Sequence, residues 1–145
     1  MLIGIAGGSG FVGLAVAEAL LQQGAHVLLV DIKQPPEAAL RFLGEHSGLG
    51  ALEVQVADVT DPGEALQALK GIDALVCAAA VTSGEERERD RPIETLETNI
   101  LGFTNLLNAA RHAGAKRIIN LSSASAYGIS AFEGDGDITE DGTWP

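Results

Sequence analysis

The sequence contains a single cysteine, Cys77. No intrachain disulfide can form, and the usage fits a reducing compartment. Basic residues are scarce: nine Lys and Arg stand against 20 Asp and Glu, for a net charge of −11. So acidic a surface repels phosphate backbones and anionic membranes, which argues against nucleic-acid and membrane partners. No apolar run is long enough to span a bilayer and no basic segment follows Met1, so the chain reads as soluble and cytoplasmic. The histidines His26, His46 and His112 show no metal-ligand spacing, so no metal is expected. Walker A, zinc and nucleic-acid motifs are missing too. What remains as a partner is a small molecule or a protein subunit.

What is present is a globular composition, 46% hydrophobic over 145 residues, enough for one domain with a core. Leu2 to Ala6 is a short apolar run ending in a glycine cluster. From Phe11 to Gln23 apolar residues recur at helical spacing through Phe11, Leu14, Ala15 and Ala19, and Gly24 stands where a helix-ending glycine belongs. His26 to Val30 is a second apolar run, closed by Asp31. The pattern then repeats. A helix is expected over Glu37 to His46 and a strand over Leu52 to Val56. Asp61-Pro62 opens a helix through Leu69, with Asp61 as its cap, and Asp73 to Cys77 is a fourth strand. A long helix is expected from Asp90-Arg91-Pro92 to His112, followed by a fifth strand, Arg117 to Leu121. Strands apolar on both faces and alternating with helices predict a doubly wound parallel sheet, order 3-2-1-4-5. Residues 128–145 read as an irregular tail, and residues 1–145 as one domain.

The strongest signal is Gly7-Gly8-Ser9-Gly10-Phe11-Val12-Gly13. It satisfies G-x-x-G-x-x-G through Gly7, Gly10 and Gly13, and G-x-G-x-x-G through Gly8, Gly10 and Gly13. One glycine makes the tight turn after a strand, one lets backbone approach a pyrophosphate, and one packs the helix close to the strand. The helix N-terminus then offers N–H groups and partial positive charge to the phosphates. Asp31, 18 residues after Gly13, can accept from both adenosine ribose hydroxyls and would repel a 2′-phosphate, which favours NAD over NADP. Lys33 is close enough to blunt that preference. Asp58-Val59 follows the third strand. Asp58 could accept from the adenine amino group while Val59 packs on the ring, or it could simply form an Asx turn. Ala78-Ala79-Ala80 follows the fourth strand and suits either close cofactor approach or plain tight packing.

These residues, with Asn99, Ser122-Ser123-Ala124-Ser125-Ala126-Tyr127-Gly128 and Thr139-Glu140, resemble in order the extended short-chain dehydrogenase/reductases, the NAD-dependent epimerase/dehydratase group. The resemblance covers the whole chain and implies a Rossmann domain. By it Gly7, Gly10 and Gly13 shape the pyrophosphate loop, with Phe11 and Val12 starting the helix beneath. Asp31 takes the ribose, Asp58 and Val59 the adenine, and Ala78, Ala79 and Ala80 line the middle of the cofactor. Asn99 lies near the place of a catalytic lysine, and Ser123 hydrogen-bonds the reacting oxygen of a sugar-like substrate. Without the resemblance, Ser123 is a strand-end hydroxyl serving a nearby carbonyl.

One feature departs from the group. Its enzymes use a Tyr-x-x-x-Lys pair as general acid/base. Here the only tyrosine, Tyr127, is followed four residues on by Ala131, and Lys33, Lys70 and Lys116 lie elsewhere. The expectation is therefore a chain cut before its catalytic tyrosine, the later strands and the substrate lobe, binding NAD without turning over. A non-catalytic NAD-binding or sensing module is the alternative. A homodimer through helix 91–112 is a further expectation. The alternating charges of Glu85 to Arg91 read as a solvated loop and helix start, or by resemblance a flap near the substrate. Cys77 reads as an inert core thiol, and His112 as a dipole partner at a helix C-terminus.

Overall fold

The computed structural model describes residues 1–46, 48, 50–82 and 84–127. Five parallel strands form one sheet in the order β3-β2-β1-β4-β5: β1 Leu2–Ala6, β2 His26–Asp31, β3 Ala51–Val56, β4 Ala74–Cys77 and β5 Arg117–Asn120. Between them run α1 Phe11–Gln22, α2 Glu37–His46, α3 Pro62–Ala68, α4 Glu85–Asp90, α5 Pro92–Leu96 and α6 Phe103–Ala113. A π-helical segment, Glu97–Gly102, joins α5 to α6. The expected strand order is the observed one. The tail from 128 to 145 lies outside the described residues.

Successive side chains on a strand face opposite ways, and the central strands put apolar groups on both faces. Ile3, Ile5, Val27, Leu29 and Val76 pack with Ala17, Leu21 and Leu43 on the side of α1 and α2. Leu28, Val30, Leu75 and Cys77 pack with Ala65, Leu69, Leu106 and Ala110 on the side of α3 and α6. Each fully buried Leu, Ile or Val contributes about 1.5–3 kcal/mol to this double core. The edge strands differ from expectation, which had every strand apolar on both faces. Glu53 on β3 is exposed, and so is all of β5.

Two helices depart from their predicted form. In α1 the buried face is Gly13, Ala17 and Leu21, while Phe11 is 90% exposed and Ala15 and Ala19 are exposed as well. The helix is apolar nearly all round, so spacing alone did not single out the stripe of small residues that lets it lie close on the sheet. The helix expected from Asp90-Arg91-Pro92 to His112 runs on from Pro92 to Ala113, but through a π-helical segment rather than as one α-helix. Arg91 (φ −143°) leaves helical geometry between α4 and α5, and the turn widens over Glu97–Gly102. The stretch from Glu85, read as a solvated loop, forms a short helix, α4. Other boundaries shift by one residue. Asp61 caps α3 as expected, its Oδ1 accepting from Gly63 N (2.8 Å) and Glu64 N (2.9 Å). No helix among the described residues is long and apolar enough to cross a membrane.

Candidate functional site

The C-terminal ends of β1, β2, β3 and β4 open onto a cleft of about 400 Å³. Clefts of open α/β sheets lie at this edge, and ligand sites typically run from about 300 to 1,000 Å³. Gly7, Gly10, Asp31, Asp58, Val59 and Ala78 to Ala80 line it, so eight residues singled out from the sequence meet in one place.

The glycine loop shows what each glycine is for. Gly7 has φ +79°, and a Cβ there would fall 2.5 Å from the Ala78 carbonyl carbon and the Ala79 nitrogen. Its N–H and that of Gly8 both donate to Val30 O, at 2.8 and 3.1 Å. A Cβ on Gly13 would collide with the Gly7 carbonyl oxygen and lie 2.8 Å from Gly8 Cα. These two glycines are required by the fold's own packing. Gly10 is different. A Cβ there would meet only Gly7 O, at 3.3 Å, and otherwise face the open cleft. The fold's own atoms therefore leave this position nearly open. Gly10 also caps α1 with no side-chain hydrogen bond, leaving first-turn N–H groups for an anion.

Asp31 stands beside this loop. Its Oδ2 accepts from Ser9 N at 3.0 Å and its Oδ1 from Lys33 N at 3.4 Å. Ser9 Oγ, in the one buried polar residue among those described, donates to Lys33 O at 2.8 Å. A carboxylate offers about four acceptor positions, so Asp31 keeps capacity for ribose hydroxyls. Lys33 lines the same end of the cleft.

Asp58 makes the Asx turn. Its Oδ1 accepts from Thr60 N (2.8 Å) and Thr60 Oγ1 (2.7 Å), and its N–H donates to Glu64 Oε2 (2.7 Å). It also lines the cleft, so the turn presents it there. Val59 is buried beneath. Phe11 and Val12 are exposed on the first turn of α1, and Gly13 lies under the loop. Asn99 hydrogen-bonds backbone: Val81 N donates to its Oδ1 (2.8 Å) and its Nδ2 donates to Val81 O (2.9 Å). It lies on the π-helical segment and so holds the chain that follows β4. Ser123 follows β5 on the same sheet edge, is exposed, and its carbonyl accepts from Ala126 N at 3.0 Å.

Sequence reasoning did not place Ile32, Ala57, Val81, Glu94 or Thr98 at the cleft, and reached Arg87 only within a charged run. Arg87 NH1 pairs with Glu94 Oε2 at 3.3 Å. The one available signal was the run Glu85 to Arg91, which by resemblance reads as a flap near the substrate.

Known proteins share this architecture. A UDP-glucose-4-epimerase from Stenotrophomonas maltophila, crystallised with NAD and formylated UDP-arabinopyranose, matches with TM-score 0.77 and 30% identity, over 88% of this chain and 38% of that one. Sterol demethylase protein B of Methylococcus capsulatus is 32% identical over 87% of this chain, which spans only 35% of that protein's length. A UDP-glucose 4-epimerase from Klebsiella pneumoniae is 30% identical over 88% of this chain and 93% of its own. The model of the NAD-dependent epimerase/dehydratase family matches residues 3–144. With its cofactor class thereby given as NAD, the chain belongs to the NAD-dependent epimerase/dehydratase family.

Proposed function

We propose that this chain is the NAD-binding part of an epimerase/dehydratase-type oxidoreductase acting on a sugar, nucleotide sugar or sugar acid. The observation that carries the NAD site is Gly10, a glycine whose missing side chain the fold does not need but the cleft does. Gly7 and Gly13 hold the loop around it, and the uncapped first turn of α1 receives the pyrophosphate. Asp31 accepts from the adenosine ribose. Asp58 and Val59 bound the adenine end, with one Asp58 oxygen already given to Thr60. Ala78 to Ala80 leave room for the middle of the cofactor. NAD, when bound, takes up and returns hydride at its nicotinamide. Ser123, at the edge where β5 ends, hydrogen-bonds the reacting substrate oxygen.

The sugar reading is supported by the relatives' own names, which include UDP-glucose 4-epimerases, one of them holding a UDP-sugar beside NAD. The test is calorimetric titration with NAD, then with UDP-sugars and free uronates in the presence of saturating NAD. Binding of NAD with a one-to-one stoichiometry supports the site. A folded protein that takes up no NAD at millimolar concentration overturns it. A UDP-sugar that binds the NAD-loaded chain supports the substrate class.

A further inference from the structure

One amide on α6 reaches a wall of the cleft from behind. Asn105 Nδ2 donates to Val59 O and to Thr60 O, both at 3.0 Å, across 46 and 45 residues of sequence. These carbonyls belong to the turn that follows β3, and several of the turn's other backbone groups already have partners. Ala57 N donates to Asp31 O (2.9 Å), Asp58 N to Glu64 Oε2 (2.7 Å), Thr60 N to Asp58 Oδ1 (2.8 Å) and Asp61 N to Asp58 O (3.1 Å). Asn105 adds partners for two of the remaining carbonyls. Without it the turn keeps its internal bonds but loses its tie to α6.

The tie sits beside a tight approach of helix and turn. A Cβ on Gly102, the last residue of the π-helical segment, would lie 2.9 Å from Val59 Cγ2, so only glycine lets the helix approach the turn this far. At the other end of that segment Asn99 holds Val81. One helical stretch therefore grips both walls of the cleft: Val81 on the β4 side and the Asp58–Thr60 turn on the β3 side. π-helical turns often mark functional positions.

Resting on the NAD reading above, we infer that Asn105 is a positioning residue for the adenine end of the cofactor. It touches no ligand itself. It fixes the two carbonyls whose placement decides where Asp58 and the buried Val59 side chain stand. Adenosine monophosphate, which presents only the adenine end, and nicotinamide mononucleotide, which presents only the other, separate this role from a general effect on folding.

In Asn105→Ala the affinity for NAD and adenosine monophosphate should fall roughly tenfold as the two carbonyls lose their donor. Affinity for nicotinamide mononucleotide should not change. Asn105→Asp, which keeps the shape but turns two donors into an acceptor, should lose at least as much. Unchanged adenosine monophosphate affinity in a folded Asn105→Ala protein overturns the inference. Should neither variant fold, the wild-type chain decides by nitrogen-15 NMR. Adenosine monophosphate should shift the Asn105 side-chain amide and the Thr60 backbone amide. A shift at Asp31 with none at Asn105 or Thr60 overturns the inference. A wild-type chain that binds neither NAD nor adenosine monophosphate fails earlier: the NAD reading falls, and this one with it.

Discussion

Ser9 donates its backbone N–H to Asp31 Oδ2 at 3.0 Å, across 22 residues of sequence. The glycine loop and the end of β2 are thereby joined through a carboxylate that also faces the cleft. Asp31 thus ties the glycine loop in place and, on the proposed NAD reading, keeps acceptors for a ribose.

The chain should bind NAD at least tenfold more tightly than NADP, or roughly 1.4 kcal/mol, because a 2′-phosphate would meet the Asp31 charge. Asp31→Ala should narrow that gap mainly by weakening NAD, and by more than a ribose contact alone because Ser9 N loses its acceptor. Lys33→Ala should widen it. Titration calorimetry with both dinucleotides measures each effect. Equal affinities in the wild-type chain would mean that Lys33 outweighs Asp31.

Much of this relationship is legible in the sequence, for reasons visible in particular residues. Gly7, Gly10, Gly13 and Asp31 sit at fixed distances along one β-α-β unit, so local sequence contains all of it. The buried stripe of α1 is not legible, because Gly13 and Ala17 face the sheet for their smallness, a property that a hydrophobic period does not weigh. The short helix α4 escapes a sequence reading because alternating charges without an apolar stripe look the same in a loop and on an exposed helix. Asn105 is invisible for a different reason: its partners are carbonyls 46 and 45 residues away, and an amide in isolation says nothing of them.

The helical stretch after α4 leaves Ile93, Leu96 and Ile100 exposed at 64%, 57% and 61%. Contiguous apolar groups of this size mark contact surfaces, and the proposal of a homodimer through residues 91–112 rests on them. Sedimentation velocity at micromolar concentration should show a dimer. The double change Ile93→Glu with Ile100→Glu should shift it to monomer while leaving NAD affinity within about twofold, as expected for surface positions outside the cleft. A wild-type monomer would end the proposal.

Cys77 is 4% exposed at the end of β4. Burial strips water from the thiolate and pushes the thiol from 9.0 up to about 11. The folded state therefore holds this proton more tightly than the unfolded state does. That contribution to stability is fully present below pH 9 and is lost as the pH rises towards 11. Urea midpoints measured at pH 8 and pH 10.5 should differ more in the wild-type chain than in Cys77→Ala. Iodoacetamide at pH 8 should label the native chain far more slowly than the urea-unfolded one. Equal labelling rates would place the thiol at the surface.

The glycine loop permits the sharpest separation of fold from ligand. Gly13→Ala places a methyl into the Gly7 carbonyl, and backbone on both sides leaves it nowhere to go. Its cost should reach the range of severe core overpacking, about 1–3 kcal/mol or more, read as a lowered urea midpoint. Gly10→Ala meets Gly7 O at 3.3 Å and nothing else within 4 Å, and Gly10 has φ −80°, which any residue adopts. The folded chain should therefore tolerate alanine there at a cost within about 1 kcal/mol. Binding should not tolerate it, because the added methyl points into the cleft where the pyrophosphate must approach backbone. Gly10→Val extends the same blockage and should abolish NAD binding while the circular dichroism spectrum stays that of the wild type. The two positions thus predict opposite patterns: at Gly13 stability falls first, and at Gly10 affinity falls with stability nearly intact. A Gly10→Val protein that remains folded and still binds NAD normally would show that the phosphates lie somewhere other than the first turn of α1.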